Sequence, residues 1–117
     1  MSTYEEKIRF LTEHTYGTWR PQKGWKAPLF ITKVNGAYFW DHKGNKYLDF
    51  TSQLICSNLG LSNKAVSEAI KKQADEMPYI SPGFVCEAKY QATRALLEVL
   101  PKNLTKIFYS TSGTEGI

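Results

Sequence analysis

Residues 29–50 decide the fold: Leu29-Phe30-Ile31-Thr32-Lys33-Val34, then Asn35-Gly36, then Ala37-Tyr38-Phe39-Trp40-Asp41, then His42-Lys43-Gly44-Asn45, then Lys46-Tyr47-Leu48-Asp49-Phe50. Three short runs rich in β-branched and aromatic residues alternate with turn residues. Asn-Gly between two such runs is the strongest short hairpin signal, because the favoured two-residue turn needs positive φ at both central positions. The pattern predicts a three-stranded antiparallel meander with one apolar face.

Helical periodicity flanks the meander. Upstream, Ser2 or Thr3 stands three residues before Glu5 or Glu6, the capping-box spacing, and Tyr4, Ile8 and Leu11 recur one turn apart. The pattern ends near His14–Gly17. Residues 16–28 then carry two Gly, two Pro and two Trp with no period, which reads as a loop. Downstream, Ser62 is a candidate cap for a helix whose apolar stripe is Ala65, Val66, Ala69, Ile70, Gln73, Ala74 and Met77, stopped by Pro78. Ser81-Pro82-Gly83 marks a turn. A further helix is expected from about Glu87 to Leu100, with Tyr90, Leu96, Leu97 and Leu100 inward and Pro101 ending it. Leu104–Ser110 reads as a short strand that runs into Thr111-Ser112-Gly113-Thr114-Glu115-Gly116-Ile117. The order helix, meander, two helices, strand is an α+β pattern.

Composition excludes several classes. The chain has 117 residues, 42% hydrophobic and 22% charged, close to the globular average and unlike a disordered tail, a collagen or a coiled coil. Its net charge of +4 comes from twelve scattered lysines and three arginines, with Lys71-Lys72 the only adjacent pair. Nucleic-acid surfaces cluster such residues on one face. No stretch reaches the ~18 apolar residues of a membrane span, and Met1–Glu6 has no basic segment followed by an apolar run. Cys56 and Cys86 form no CxxC pair, so buried thiols in a reducing, cytoplasmic setting are expected, with no metal site. His14 and His42 stand on a helix end and a turn without ligand partners, and are read as exposed or locally capped. Asp41 and Asp49 close strands beside turns, where turn chemistry accounts for them. Asn103-Leu104-Thr105 fits a glycosylation sequon and is read as chance.

The most suggestive chemistry lies at 112–114. A strand that ends in Ser-Gly-Thr and opens into a helix makes an anion seat, since glycine lets the backbone approach and the first amides point outward. Taken alone, the tripeptide is far more often just a turn or a helix cap.

A family resemblance adds to this reading. Gly36-Ala37-Tyr38-Phe39-Trp40-Asp41, Gly44-Asn45-Lys46-Tyr47-Leu48-Asp49-Phe50, Asn58-Leu59-Gly60, the helix Val66…Ala69-Ile70…Gln73, and Phe108-Tyr109-Ser110-Thr111-Ser112-Gly113-Thr114-Glu115 together resemble the N-terminal region of class III aminotransferases of fold type I. The motifs fall in the family's order from about His14 to Glu115. Thr51-Ser52-Gln53-Leu54 and Trp19-Arg20-Pro21-Gln22 look similar to the amine– and taurine–pyruvate transaminase branch. Gly60-Leu61-Ser62-Asn63-Lys64 departs from the family's His-rich, Pro-containing turn.

The resemblance implies pyridoxal 5′-phosphate (PLP) as cofactor, transfer of an amino group from an amine or ω-amino acid to a pyruvate-like keto acid, and a homodimer or larger assembly. It implies that residues 1–28 are an arm, 29–61 a small-domain meander, and 62–117 the entry to a PLP-binding large domain cut off here. Ser112, Gly113 and Thr114 would hold the cofactor phosphate. Trp19 would be an aromatic wall and Gln53 a polar contact for substrate; core packing and strand-end hydrogen bonding are the competing roles for these two. None of the twelve lysines stands at the family's Schiff-base motif, so no catalytic residue is expected in this stretch, and the stretch alone is expected to be inactive. A different class, a basic and aromatic module for single-stranded nucleic acid using Trp19, Arg20, Lys23, Trp25 and Lys26, is the alternative; an inactive gene fragment is another.

Overall fold

The computed structural model describes all residues from Met1 to Ile117 and divides into two compact units, Met1–Ser67 and Glu68–Ile117. In the first unit, helix α1 (Tyr4–His14) begins with a full capping box. The Glu6 amide donates to Thr3 Oγ1 at 3.2 Å, and the Thr3 amide donates to Glu6 Oε2 at 2.8 Å. Two of the helix's otherwise partnerless amides are thereby satisfied.

Strands β1 (Ile31–Asn35), β2 (Tyr38–Asp41) and β3 (Lys46–Leu48) form the expected antiparallel sheet in the order β1-β2-β3. Its first turn sits one residue later than Asn35-Gly36 suggests. Asn35 pairs with Tyr38, so the loop is Gly36-Ala37, and only Gly36 has positive φ (56°). The surroundings explain the shift: the Gly36 carbonyl accepts the Leu61 amide at 2.9 Å, and the Ala37 carbonyl accepts the Asp49 amide at 2.8 Å. A Cβ on Gly60 (φ 88°) would stand 3.4 Å from Gly36 Cα, so two glycines let the turn and the segment after the sheet approach closely.

The second turn is organised by Asp41, the one buried polar residue at 3% exposure. Its Oδ1 accepts the amides of Lys43 and Asn45, and its Oδ2 accepts Asn45 Nδ2 and the Tyr47 hydroxyl, all at 2.9 Å. The Asn45 side chain chiefly, against the cost of burial, holds the Asp41 carboxyl down at about 2. Tyr47 is pushed up in turn, foremost by the same hydrogen bond.

Side chains alternate across the sheet as the pleat requires. Phe39 stacks on Tyr47 at 5.2 Å between centroids. Elsewhere Lys33 lies 4.8 Å from the Trp40 ring and Lys46 3.8 Å from the Tyr38 ring. Helix α1 joins the sheet through Tyr4, whose ring is 5.0 Å from both Phe30 and His42. His42 is therefore neither the exposed nor the locally capped residue expected: it is largely covered, its ring nitrogens make no hydrogen bond, and Nε2 lies 3.6 Å from Glu5 Oε1. Aromatic packing, invisible in a local reading, decides its place.

Helix α2 (Lys64–Glu76) follows, capped by Asn63 rather than Ser62: the Val66 amide donates to Asn63 Oδ1 at 3.2 Å. Helix α3 (Glu87–Val99) lies in the second unit, where Thr93 Oγ1 and the Tyr109 hydroxyl are 2.9 Å apart. The strand expected over Leu104–Ser110 is absent. That segment pairs with no strand among these residues, and a ladder needs two. The helical stripes are likewise uncovered: no apolar side chain is fully buried, and Ile70, Tyr90 and Leu96 are exposed, not inward. The thiols depart from expectation in the same way, Cys56 being exposed and Cys86 half-buried.

Candidate functional site

The proposed anion seat occupies a short 3₁₀ turn, Gly113–Gly116, preceded by Ser112 in extended conformation. The first amides of any helical turn lack internal partners. Here the Glu115 amide donates to the Ser112 carbonyl at 3.2 Å, whereas the Gly113 and Thr114 amides donate to no group in the chain, nor do the Ser112 and Thr114 hydroxyls. Nothing lies within 4 Å of where a Cβ would stand on Gly113. Two amides and two hydroxyls without partners, with open space at Gly113, suit a phosphate.

Glu115 ties the turn back on itself. Its Oε2 accepts the Thr111 amide at 2.9 Å and its Oε1 the Thr111 hydroxyl at 2.8 Å. The Thr111 amide chiefly, then its hydroxyl, hold the Glu115 carboxyl below the ordinary glutamate range. The Ser110 hydroxyl donates to the Ser112 carbonyl at 3.1 Å, a second brace. Sequence reading assigned no role to either.

The other two candidates lie in the first unit, on separate loops with no hydrogen bond between them. Trp19 has positive φ (58°) and is 85% exposed, so core packing does not explain it. Its loop is clamped by Gln22. The Gln22 side chain accepts the Gly17 amide at 2.9 Å and donates to the carbonyls of Gly17 at 2.7 Å and Arg20 at 2.9 Å. Trp25 covers Gly17 so closely that a Cβ there would meet the ring at 2.6 Å, and the Arg20 guanidinium lies 5.3 Å from the same ring. Of the two loop tryptophans, one packs and the other projects.

Gln53 occupies the most unusual backbone of the chain. Ser52, Gln53, Leu54 and Ile55 all have positive φ, between 48° and 67°, and the Ile55 and Cys56 amides donate to the carbonyls four residues back, Thr51 at 3.1 Å and Ser52 at 2.7 Å. This is one turn of left-handed helix built without glycine. Each such residue costs roughly 1–2 kcal/mol, so the turn persists only because its surroundings over-determine it. Asp49 grips it at two points: its Oδ1 accepts the Gln53 amide at 3.2 Å, its Oδ2 the Ser57 hydroxyl at 3.2 Å. Desolvation raises the Asp49 carboxyl, but hydrogen bonds from Gln53, Ser57 and Thr51 outweigh it and leave it below the usual aspartate range. No sequence signal marks this turn, because left-handed residues are ordinarily flagged by Gly or Asn.

No three His, Cys, Asp or Glu side chains gather as metal ligands, and no helix is long and apolar enough to cross a membrane.

Comparison with known proteins gives the family. The model of the family "Aminotransferase class-III" matches residues 20–117. The acetylornithine aminotransferase of Methanopyrus kandleri is 36% identical over 92 residues, 79% of this chain and 24% of that one. Among solved structures, the adenosylmethionine-8-amino-7-oxononanoate aminotransferase of Methanocaldococcus jannaschii superposes with a TM-score of 0.90 at 32% identity, covering 97% of this chain and 26% of that one. The taurine:2-oxoglutarate aminotransferase of Bifidobacterium kashiwanohense, solved with PLP and glutamate, gives 0.76 at 36% identity, covering 85% and 22%. The chain belongs to the class III aminotransferases. It spans about a quarter of the length of the relatives it matches.

Proposed function

We propose that these residues serve the N-terminal part of a PLP-dependent aminotransferase, residues 1–28 as an arm, 29–61 as the small-domain meander and 62–117 as the entry to the cofactor domain. The observation that carries the cofactor assignment is the pair of undonated amides at Gly113 and Thr114, in a family member. They would hold the PLP phosphate with the Thr114 and Ser112 hydroxyls. Glu115, engaged on both carboxylate oxygens by Thr111, keeps the turn shaped and its own charge occupied. When bound, PLP supplies the electron sink for amino transfer. The protein's share is orientation. Trp19 would present an aromatic wall and Gln53 a polar contact to an amine or ω-amino acid donor, a donor class to which the taurine enzyme's name lends support, and to a pyruvate-like acceptor. The uncovered faces of α2 and α3 suit burial against the remainder of a longer protein or a second subunit. The 117 residues by themselves are expected not to transaminate.

The test is PLP titration of the full gene product. A charge-assisted hydrogen bond contributes about 1.5–3 kcal/mol, so Gly113→Pro, which removes one donor, should weaken PLP binding roughly ten- to a hundredfold, with Thr114→Ala acting in the same direction. Unaltered PLP affinity in both variants refutes the assignment.

A further inference from the structure

We propose that Asp49 is a positioning residue for substrate: its carboxylate locks residues 52–55 in the left-handed turn and so fixes where the Gln53 and Leu54 side chains project. The inference rests on the reading of Gln53 as a substrate contact. Four consecutive non-glycine residues at positive φ are a strained arrangement that relaxes toward ordinary conformations unless held. Two of the turn's backbone bonds, Ile55 to Thr51 and Cys56 to Ser52, do not select handedness, because a right-handed turn makes bonds of the same kind; a third, from the Ser57 amide to the Ser52 carbonyl at 3.0 Å, closes the turn at its far end. What distinguishes the left-handed form is the grip from outside it. Asp49 Oδ1 takes the Gln53 amide and Oδ2 the Ser57 hydroxyl, one anchor inside the turn and one just beyond it. Asp49 is itself anchored, since its amide donates to the Ala37 carbonyl in the first turn of the sheet. The meander therefore sets the position of the carboxylate, and the carboxylate sets the turn. The side chains of Leu54 and Ile55 are exposed and do not hold it through burial.

Strain of this kind concentrates where side chains must be presented in one orientation. If Gln53 meets the substrate, releasing the lock should weaken substrate binding while leaving the phosphate seat at Gly113 and Thr114 untouched.

The experiment uses the full gene product with Asp49→Asn, Asp49→Ala and Gln53→Ala. Amide hydrogen exchange at Gln53, Ile55 and Cys56 should accelerate roughly tenfold or more in Asp49→Ala, with a smaller rise in Asp49→Asn. Exchange at Phe39 and Tyr47 in the sheet should stay unchanged. The KM for the amine donor should rise about tenfold in both Asp49→Ala and Gln53→Ala, with PLP retention as in the parent. Unchanged exchange in the turn overturns the lock, even if Gln53→Ala raises KM. Faster exchange with KM unmoved in every variant instead refutes Gln53 as a substrate contact and removes the positioning role with it. Should Asp49→Ala fail to fold, Asp49→Asn and Ser57→Ala decide the matter: neither speeding exchange at Gln53 overturns the proposal.

Discussion

Replacing Ile55 by glycine and by alanine makes a sharp test of the left-handed turn. Both substitutions remove the same side chain, which is 80% exposed, so the loss of apolar burial nearly cancels between them. At φ 67° an alanine Cβ still meets the preceding turn, at a cost of roughly 1–2 kcal/mol, whereas glycine has no such contact. Against this, glycine loses about 0.5–1 kcal/mol more conformational entropy on folding. The balance leaves Ile55→Gly more stable than Ile55→Ala by about 0.5–1 kcal/mol. At Ile70, in the middle of α2 and 63% exposed, the order should be the ordinary one, alanine above glycine by about 1 kcal/mol. Urea unfolding of the four variants of the full gene product, followed by tryptophan fluorescence, reads both differences from the midpoints at constant slope. Ile55→Ala equal to or more stable than Ile55→Gly would refute the left-handed assignment.

Three further outcomes follow from particular contacts. Gly17→Ala should destabilise by about 1–3 kcal/mol, because its Cβ would stand 2.6 Å from the Trp25 ring where ordinary contact begins at 3.4 Å; a shifted Trp25 emission with a lower melting midpoint would show it. Asp41 has its carboxyl lowered from 3.8 to about 2, so the folded chain binds that proton less readily than the unfolded one. Its stabilisation is complete above about pH 4 and is lost as pH falls toward 2. Asp41→Asn should flatten that acid limb, and equal slopes in an acid melting series would count against the role. Thr3→Ala breaks the capping box and should cost about 1 kcal/mol of helix α1, seen as faster amide exchange at Glu6 with α2 unaffected.

The legible part of the molecule is its local chemistry. Thr3 with Glu6, the turn residues between three aromatic-rich runs, and the stripes over 64–76 and 87–99 each depend on neighbours within a few positions, and each formed the element its pattern implies. At 113–116 the chain forms a 3₁₀ turn where the pattern implies the start of a helix. Every feature the residue pattern missed depends on something distant. The turn at Gly36-Ala37 packs against Gly60 and Leu61, Tyr4 and Phe30 cover His42, and the 104–110 segment lacks a pairing partner. The left-handed turn at 52–55 belongs with these. No residue in it favours positive φ, and the carboxylate that grips it is itself tied to the meander. Periodicity and capping are properties of the chain in its own vicinity; strain and coverage are settled by what the fold brings alongside.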